Sequence, residues 1–358
     1  MKYSKRCCIV MVLGLMIAST SGLHAQGWKA LLDLSGTWRF ELGDSVSWSN
    51  PAYNDIRWSR IEVPSPWEEQ GFQNYNGYAW YRKHFRVNRD LVSGRLVYLL
   101  VGYIDDVSEI YLNGRLIGYA GQFPPRFTTA YTRAQSYVLP LEFLHFDREN
   151  VLAVRVYDLR SVGGITRGLI GLFEPRNYPS PDLDLSGPWK FSTGDNRKWR
   201  DEGFEDSDWE ELRVPGFWDT QGYRHYDGYA WYRVRFKLPE QLRHQSLTML
   251  AGRIDDFDEV YVNGTLIGRT GDMSYGVDPS RVREDWKKLR AYEIPRNLLH
   301  AEGENVIAIR VLDAILHGGI YDGPVGLVRT SRYKQWNKEN APQSKFWDWF
   351  KDIFLEPM

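Results

Sequence analysis

The six residues Gly-Tyr-Ala-Trp-Tyr-Arg occupy positions 77–82 and recur unchanged at 228–233, 151 residues further on. The same spacing carries Leu34-Ser35-Gly36 and Trp38 onto Leu185-Ser186-Gly187 and Trp189. It also carries Trp58 onto Trp209, and Pro64 and Trp67 onto Pro215 and Trp218. One module is therefore written twice, and a fold that suits the first copy must suit the second. Each copy is about 145 residues, enough to bury one core.

The pattern inside a copy is that of strands. Leu34 to Phe40 alternates apolar with small or polar residues, and Ile61-Glu62-Val63-Pro64 reads as a short strand stopped by proline. In the stretch from Trp80 to Val87, Tyr81, Phe85 and Val87 fall on one face, with Trp80, Arg82, His84 and Arg86 on the other. The second copy repeats the division, with Tyr232, Val234, Phe236 and Leu238 against Trp231, Arg233, Arg235 and Lys237. Ile110-Tyr111-Leu112-Asn113-Gly114 matches Val260-Tyr261-Val262-Asn263-Gly264, and Asn-Gly between alternating runs predicts a type I′ hairpin. Many short strands, closely spaced turns and almost no helical periodicity predict an all-β protein of two antiparallel sandwiches, spanning 28–175 and 184–330. The proline-rich residues 176–183 between them make a stiff, extended spacer. The copies diverge in length and composition at 119–136 and 269–291, which marks these as loops.

The two ends of the chain do not belong to the repeat. Lys2, Lys5 and Arg6 precede a short apolar run from Cys7 to Ala18, and Leu23-His24-Ala25 offers a cleavage point, the layout of a signal peptide over 1–25. That run is too short to span a membrane. Both cysteines lie within it, so the mature chain is expected to be exported, periplasmic or secreted, and free of disulfides. At the other end, Phe346, Trp347, Trp349, Phe350, Ile353 and Phe354 have the spacing of an amphipathic helix over 342–358. Such a helix docks on the sandwiches or on a protein partner. With 45 basic and 46 acidic residues and no long run of either sign, nucleic-acid binding is not supported.

Several of these motifs together resemble a known family. Val63-Pro64-Ser65-Pro66-Trp67, Trp80-Tyr81-Arg82, the Asn113-Gly114 turn with Ile117-Gly118, and Asn150-Val151 through Arg155 and Asp158 to Gly163-Gly164-Ile165 are similar to the N-terminal sugar-binding jelly roll of family 2 glycoside hydrolases. The Ile104-Asp105-Asp106 form of the middle motif and the Gly-Gly-Ile ending look closer still to the related domain of sialic acid O-acetylesterases and of some exported bacterial sensors. The resemblance covers both copies and implies tandem galactose-binding-like jelly rolls with a glycan or oligosaccharide as ligand. It supplies no catalytic residues. In the hydrolases these lie on a (β/α)8 barrel, and the chain has no βα alternation. In some relatives a polar residue just before the motif tryptophan reaches the sugar; here Pro66 and Phe217 stand there.

Two constellations carry candidate chemistry. Asp105-Asp106 and Asp255-Asp256 are the repeated carboxylate pairs. Glycoside hydrolysis needs two carboxyls at a defined separation, which strand neighbours reach only on irregular backbone. A role in tying a turn, in pairing with Arg155 or Arg310, or in binding a ligand or cation is the alternative. The second constellation is the polar sheet face, where Trp80, Arg82, Glu109, Tyr111, Arg155 and Tyr157 come together if their strands are neighbours. An aromatic ring beside forked cations suits a pyranose, and equally an Arg–Glu ladder under a covering loop. The ligand-binding candidates are therefore Trp80, Arg82, Asp105, Asp106, Arg155 and Asp158, with Trp231, Arg233, Asp255, Asp256, Arg310 and Asp313 in the second copy. No zinc spacing, nucleophile elbow or phosphate loop is present, so no cofactor is expected, although fold analogy admits a structural Ca²⁺. The expected function is that of an exported, non-catalytic carbohydrate-binding protein accessory to glycan degradation. The alternatives are a periplasmic or cell-surface interaction or sensing module, and a β-galactosidase-like hydrolase or a subunit of one.

Overall fold

A computed structural model describes residues 27–340. The expected signal peptide and the tail helix over 342–358 lie outside the described residues. The first copy contains β1 (Trp28–Asp33), β2 (Gly36–Leu42), β3 (Ser59–Val63), β4 (Gly77–Phe85), the one-turn α1 (Arg89–Val92), β5 (Tyr98–Asp105), β6 (Val107–Leu112), β7 (Arg115–Ala120), β8 (Ala134–Val138), β9 (Asn150–Asp158) and β10 (Gly164–Pro175). The second contains β11 (Leu183–Asp184), β12 (Gly187–Thr193), β13 (Glu210–Val214), β14 (Gly228–Phe236), β15 (Leu247–Asp255), β16 (Phe257–Val262), β17 (Thr265–Thr270), β18 (Leu289–Glu293), β19 (Asn305–Asp313) and β20 (Gly319–Arg329). The chain then enters α2 (Thr330–Asn340), a helix that its polar sequence does not announce.

Each copy packs a four-stranded sheet on a six-stranded one. The orders are β1-β10-β5-β8 and β3-β2-β4-β9-β6-β7, repeated as β11-β20-β15-β18 and β13-β12-β14-β19-β16-β17. The protein is all-β, two tandem sandwiches with a short helix at the end of the second. Between the sheets of the first copy, Phe40 meets Tyr81 edge-on at 4.8 Å and Trp67 at 5.9 Å, with Trp38 fully enclosed. Phe191, Tyr232, Trp218 and Trp189 repeat the arrangement, at 4.9 and 5.8 Å. Buried aromatics of this size each remove roughly 150–250 Å² from water, and no disulfide among the described residues supplements them.

The Asn-Gly turns form as expected. Asn113 and Gly114 have φ of 51° and 80°, and Asn263 and Gly264 have 45° and 78°, the left-handed region a type I′ turn requires. The asparagine also ties its hairpin to the neighbouring strand. Asn113 Nδ2 donates to Asn150 Oδ1 at 2.9 Å, while its Oδ1 accepts from Val151 N at 2.8 Å.

The outer face of the six-stranded sheet corrects one expectation. Residues between Asp44 and Arg57 fold across it, and Arg82 grips them from below. Its Nε donates to Asp55 Oδ2 at 2.6 Å, Nη1 to the carbonyls of Trp48 and Asn50, and Nη2 to that of Tyr53. Trp80 packs under the same loop against Trp48, Trp58 and Tyr111. In the second copy Arg233 grips Asp206 and the carbonyls of Trp199, Asp201 and Phe204, and Trp231 lies beneath. All four side chains are fully buried. Trp80, Arg82, Trp231 and Arg233 thus offer no surface to a ligand and serve as the fastening of a loop. The reason is physical: a guanidinium on a sheet face that becomes covered must find acceptors for all its N–H groups, and backbone carbonyls provide them.

The copies join head to tail. Tyr119 of β7 donates to Asp219 Oδ1 at 2.9 Å, Arg224 pairs with Glu109 at 2.9 Å, and Arg213 pairs with Glu142. A second fastening joins the copies where Tyr98 donates to Asp322, whose other oxygen takes Arg253 Nη1 at 2.6 Å and the hydroxyl of Tyr178 at 3.1 Å.

Candidate functional site

Where β5 and β9 end, the first sandwich gathers carboxyls. Asp105 closes β5, Asp158 closes β9, and Asp106 lies between β5 and β6, joined to Asp105 by a cis peptide. Each of the three can present an oxygen such that all lie within 4.8 Å of one another. Their backbone surroundings fix them. Asp106 accepts from Thr129 Oγ1 at 2.5 Å and from Leu159 N at 3.0 Å, and Asp158 accepts from Arg160 N at 3.1 Å. The second oxygen of Asp158 is buried without a partner among the described residues. Glu68 stands nearby and takes Gly163 N on both oxygens at 3.1 Å.

Crowding of like charges shows in their acidity. Burial pushes Asp105 up to about 7, helped by its hydrogen bond to Asp106 and by the charges of Asp106, Asp158 and Glu68. Asp158 is pushed to about 6 by burial first, against the N–H of Arg160, with Asp106 and Glu68 adding to the rise. Near neutral pH this group therefore holds protons that a cation would displace.

Beside the carboxyls lies an aromatic shelf. Tyr78 at the start of β4 stacks on Phe123 at 5.7 Å with the rings 6° apart, and meets Tyr157 of β9 at 4.8 Å. Phe127 approaches Tyr157 at 5.9 Å. Arg155 lies over Phe123 at 4.2 Å and over Tyr78 at 5.0 Å. Its charge is already matched, because Asp44 holds it with two bonds of 2.8 and 2.5 Å and Glu109 with one of 3.0 Å. All four rings are half-buried, so each keeps an edge or face toward solvent. Ring faces flanked by fixed acceptors and a forked donor are the chemistry that binds a polyhydroxylated ring.

The equivalent end of the second copy is closed. Asp255, Asp256 and Asp313 occupy the same places, with Asp219 where Glu68 stands. Here Asp219 accepts from Tyr119 of the first copy and from Gly318 N at 3.0 Å. The His317 ring packs edge-on against Tyr119 at 4.4 Å. Enclosure drives the carboxyls further: burial raises Asp313 to about 8, followed by the charges of Asp256, Asp227 and Asp219, and it raises Asp255 well above the carboxylate range. Burial also lowers His317 to about 3, with Arg133 and Arg224 contributing.

Of the residues singled out in the sequence, Asp105, Asp106 and Asp158 meet at one end of the first sandwich and Asp255, Asp256 and Asp313 hold the equivalent, more enclosed places in the second, while Arg155 stands apart on the outer sheet face with Asp44 and Glu109. Arg310 is neutralised by Asp195 at 2.6 Å and Glu259 at 3.2 Å, as Arg155 is by its own acids. Neither arginine pairs with the repeated aspartates, so that expectation is corrected: each prefers the acid that strand register places beside it, Glu109 opposite Arg155 and Glu259 opposite Arg310. The reading from sequence missed Glu68, Tyr78, Phe123, Phe127 and Thr129. Phe123 and Phe127 lie in a divergent loop, and that divergence was the available signal.

The chain is similar in part to several known proteins. A family model described as the second all-beta domain of beta-galactosidase matches residues 194–315. The beta-galactosidase BoGH2A of Bacteroides ovatus is 29% identical over 136 residues, covering 35% of this chain and 15% of that protein. A beta-glucuronidase of Formosa agariphila is 27% identical over 105 residues, 25% of this chain and 11% of its own length. A solved Bacteroides uniformis beta-glucuronidase aligns with 79% of this chain and 28% of that one, at 17% identity and a TM-score of 0.34. The chain thus carries β-sandwich domains resembling those of family 2 glycoside hydrolases, and it spans about one seventh or less of the curated relatives it matches.

Proposed function

We propose that the mature chain is an exported, non-catalytic glycan-binding protein, accessory to glycan degradation, whose binding surface is the loop end of the first sandwich. The observation behind this reading is the convergence of Asp105, Asp106 and Asp158 at an end less enclosed than its duplicate, against which the other copy packs, with the half-buried rings of Tyr78, Phe123 and Tyr157 carried on the adjoining outer face of the sheet. The carboxyls converge on one point instead of flanking a bond, which favours gripping a ligand or cation over cleaving one. Three carboxylates offering hard oxygens fit Ca²⁺, which would fill its shell with water or with hydroxyls of the glycan. The test is a screen of the mature protein on glycan arrays and affinity gels, with and without Ca²⁺, followed by Tyr78→Ala and Asp158→Asn. Retention lost in both variants supports the reading; a folded protein that is silent across plant and host glycan panels overturns it.

A second reading draws on the size of the relatives. Since those proteins are glycosidases about two and a half times as long, the loop end could complete the active site of a further domain or subunit. Asp105, with its acidity near neutrality, would then be the residue to watch. Hydrolysis of chromogenic glycosides that disappears in Asp105→Asn separates this reading from the first.

A further inference from the structure

Head-to-tail packing creates a cleft that neither copy has alone. It has a volume of about 600 Å³ and runs along the seam, between the start of β5 and the end of β8 on one side and β13 with the Gly323–Val325 stretch of β20 on the other, with residues 178–181 of the spacer as roof. That is the size and the setting, between two domains, in which small-molecule sites are found. Its width is fixed, because the copies are fastened through Arg213–Glu142 and again through Asp322 to Tyr98, Tyr178 and Arg253.

The polar groups in the cleft are balanced and incompletely used. Arg95 and Arg213 supply donors, while Glu142, Glu174 and Asp184 supply acceptors. Arg95 gives Nη1 to Glu174 at 2.7 Å, yet its Nε is buried with no acceptor among the described residues. A buried guanidinium N–H without an acceptor is costly, and a ligand oxygen would satisfy it. Because each arginine already faces a carboxylate, a second anion gains little here; a hydroxyl, which accepts from Arg95 and donates to Glu174 or Asp184, suits both. Apolar C–H surfaces, from Leu141, Val325 and the rings of Pro140, Pro181 and Pro215, make up the rest of the wall.

We infer that the seam cleft is a second saccharide site, one that takes a neutral disaccharide or a stretch of a longer neutral glycan. The inference is independent of the loop-end reading: it shares no residue with that end, and either can fail alone.

The experiment uses the mature chain and the neutral disaccharides lactose, cellobiose, maltose and mannobiose, with calorimetry and crystal soaks. Ser180→Trp fills the cleft from its exposed roof, and Arg95→Gln removes the free Nε donor while keeping a polar side chain. The expected result is at least one disaccharide with density against Arg95, whose affinity falls tenfold or more in both variants and is unchanged in Asp158→Asn. Binding that is lost in Asp158→Asn but kept in Ser180→Trp places saccharide at the loop end alone and overturns the inference. So does absence of binding by all four sugars in the folded wild type, or density for a charged peptide or uronate in the cleft where the neutral sugars give none.

Discussion

Replacing Arg82 with methionine retains an apolar stem and removes the fork that holds the loop over the sheet. Four acceptors then lose a donor: Asp55 at 2.6 Å and the carbonyls of Trp48, Asn50 and Tyr53. The bond to Asp55 is charge-assisted and worth about 1.5–3 kcal/mol, and each carbonyl bond about 0.5–1.5 kcal/mol before water enters. Asp55 keeps one partner, His84 Nε2 at 2.7 Å, so its own loss is cushioned. The expected destabilisation is about 4 kcal/mol, within the range for breaking one side of a buried pair. Arg233→Met removes the same four bonds in the second copy, but there the remaining cation of Asp206, Arg235, is 3.7 Å away. That variant should lose about 1 kcal/mol more. Urea unfolding followed by tryptophan fluorescence reads the effect, because Trp48, Trp58 and Trp80 lie in the gripped cluster. At a slope of about 2 kcal/mol per molar, the transition assigned to the first sandwich should move down by about 2 M in Arg82→Met. Glycan retention by the folded variant should match wild type. If Arg82→Met instead unfolds at the wild-type urea concentration and loses glycan binding, the guanidinium contacts ligand and the assignment as a loop fastening is wrong.

Other expectations concern the two acidic ends. Asp313 keeps its proton in the folded chain up to about pH 8, whereas the unfolded chain gives it up near 3.8, so between these values the folded state binds more protons and stability falls as pH rises. The melting temperature should be lower at pH 9 than at pH 5, by an amount corresponding to at most about 4 kcal/mol, and Asp313→Asn should flatten the profile; an unchanged slope in that variant refutes the assignment. At the first-copy end, Ca²⁺ added at pH 6.5 should release about one proton, mainly from Asp105, so its affinity should rise toward pH 8 and the proton release should fall to the small share of Asp158 in Asp105→Asn. Calorimetry in two buffers of different ionisation enthalpy measures this directly. Tyr119→Phe removes one of three donors from the buried Asp219 and should cost about 1–2 kcal/mol, read as a lower melting temperature, without affecting ligand binding at the first copy.

Most of the fold could be read from the chain because its signals are local. An Asn-Gly turn needs positive φ wherever it occurs, and strand alternation put Tyr81 inward and Trp80 outward without reference to anything distant. What alternation could not tell is whether an outward face meets water. The repetition of Asp55 and Trp58 as Asp206 and Trp209, within loops that otherwise drift apart, was the clue that a cover existed. The inequality of the two acidic ends was beyond reach for a different reason. It depends on Tyr119 of one copy meeting Asp219 of the other, a contact between residues 100 positions apart that no periodicity encodes. Helix α2 escaped because its buried side is narrow: Tyr333 and Trp336 stack at 5.8 Å, while most of its other positions are polar and exposed.

The grip of Arg82 and Arg233 also bears on how such a module can change. Besides one aspartate, each guanidinium addresses main-chain oxygens, and every residue type carries one. The loop is thereby held by features that mutation seldom removes. Ser49, Pro51, Ala52 and Asn54 in one copy answer to Arg200, Glu202, Gly203 and Glu205 in the other, yet both loops meet their arginine at matching distances. Shape is inherited through the clamp while the letters drift, which leaves a stretch of surface over each sheet free to acquire new side chains without renegotiating the fold beneath.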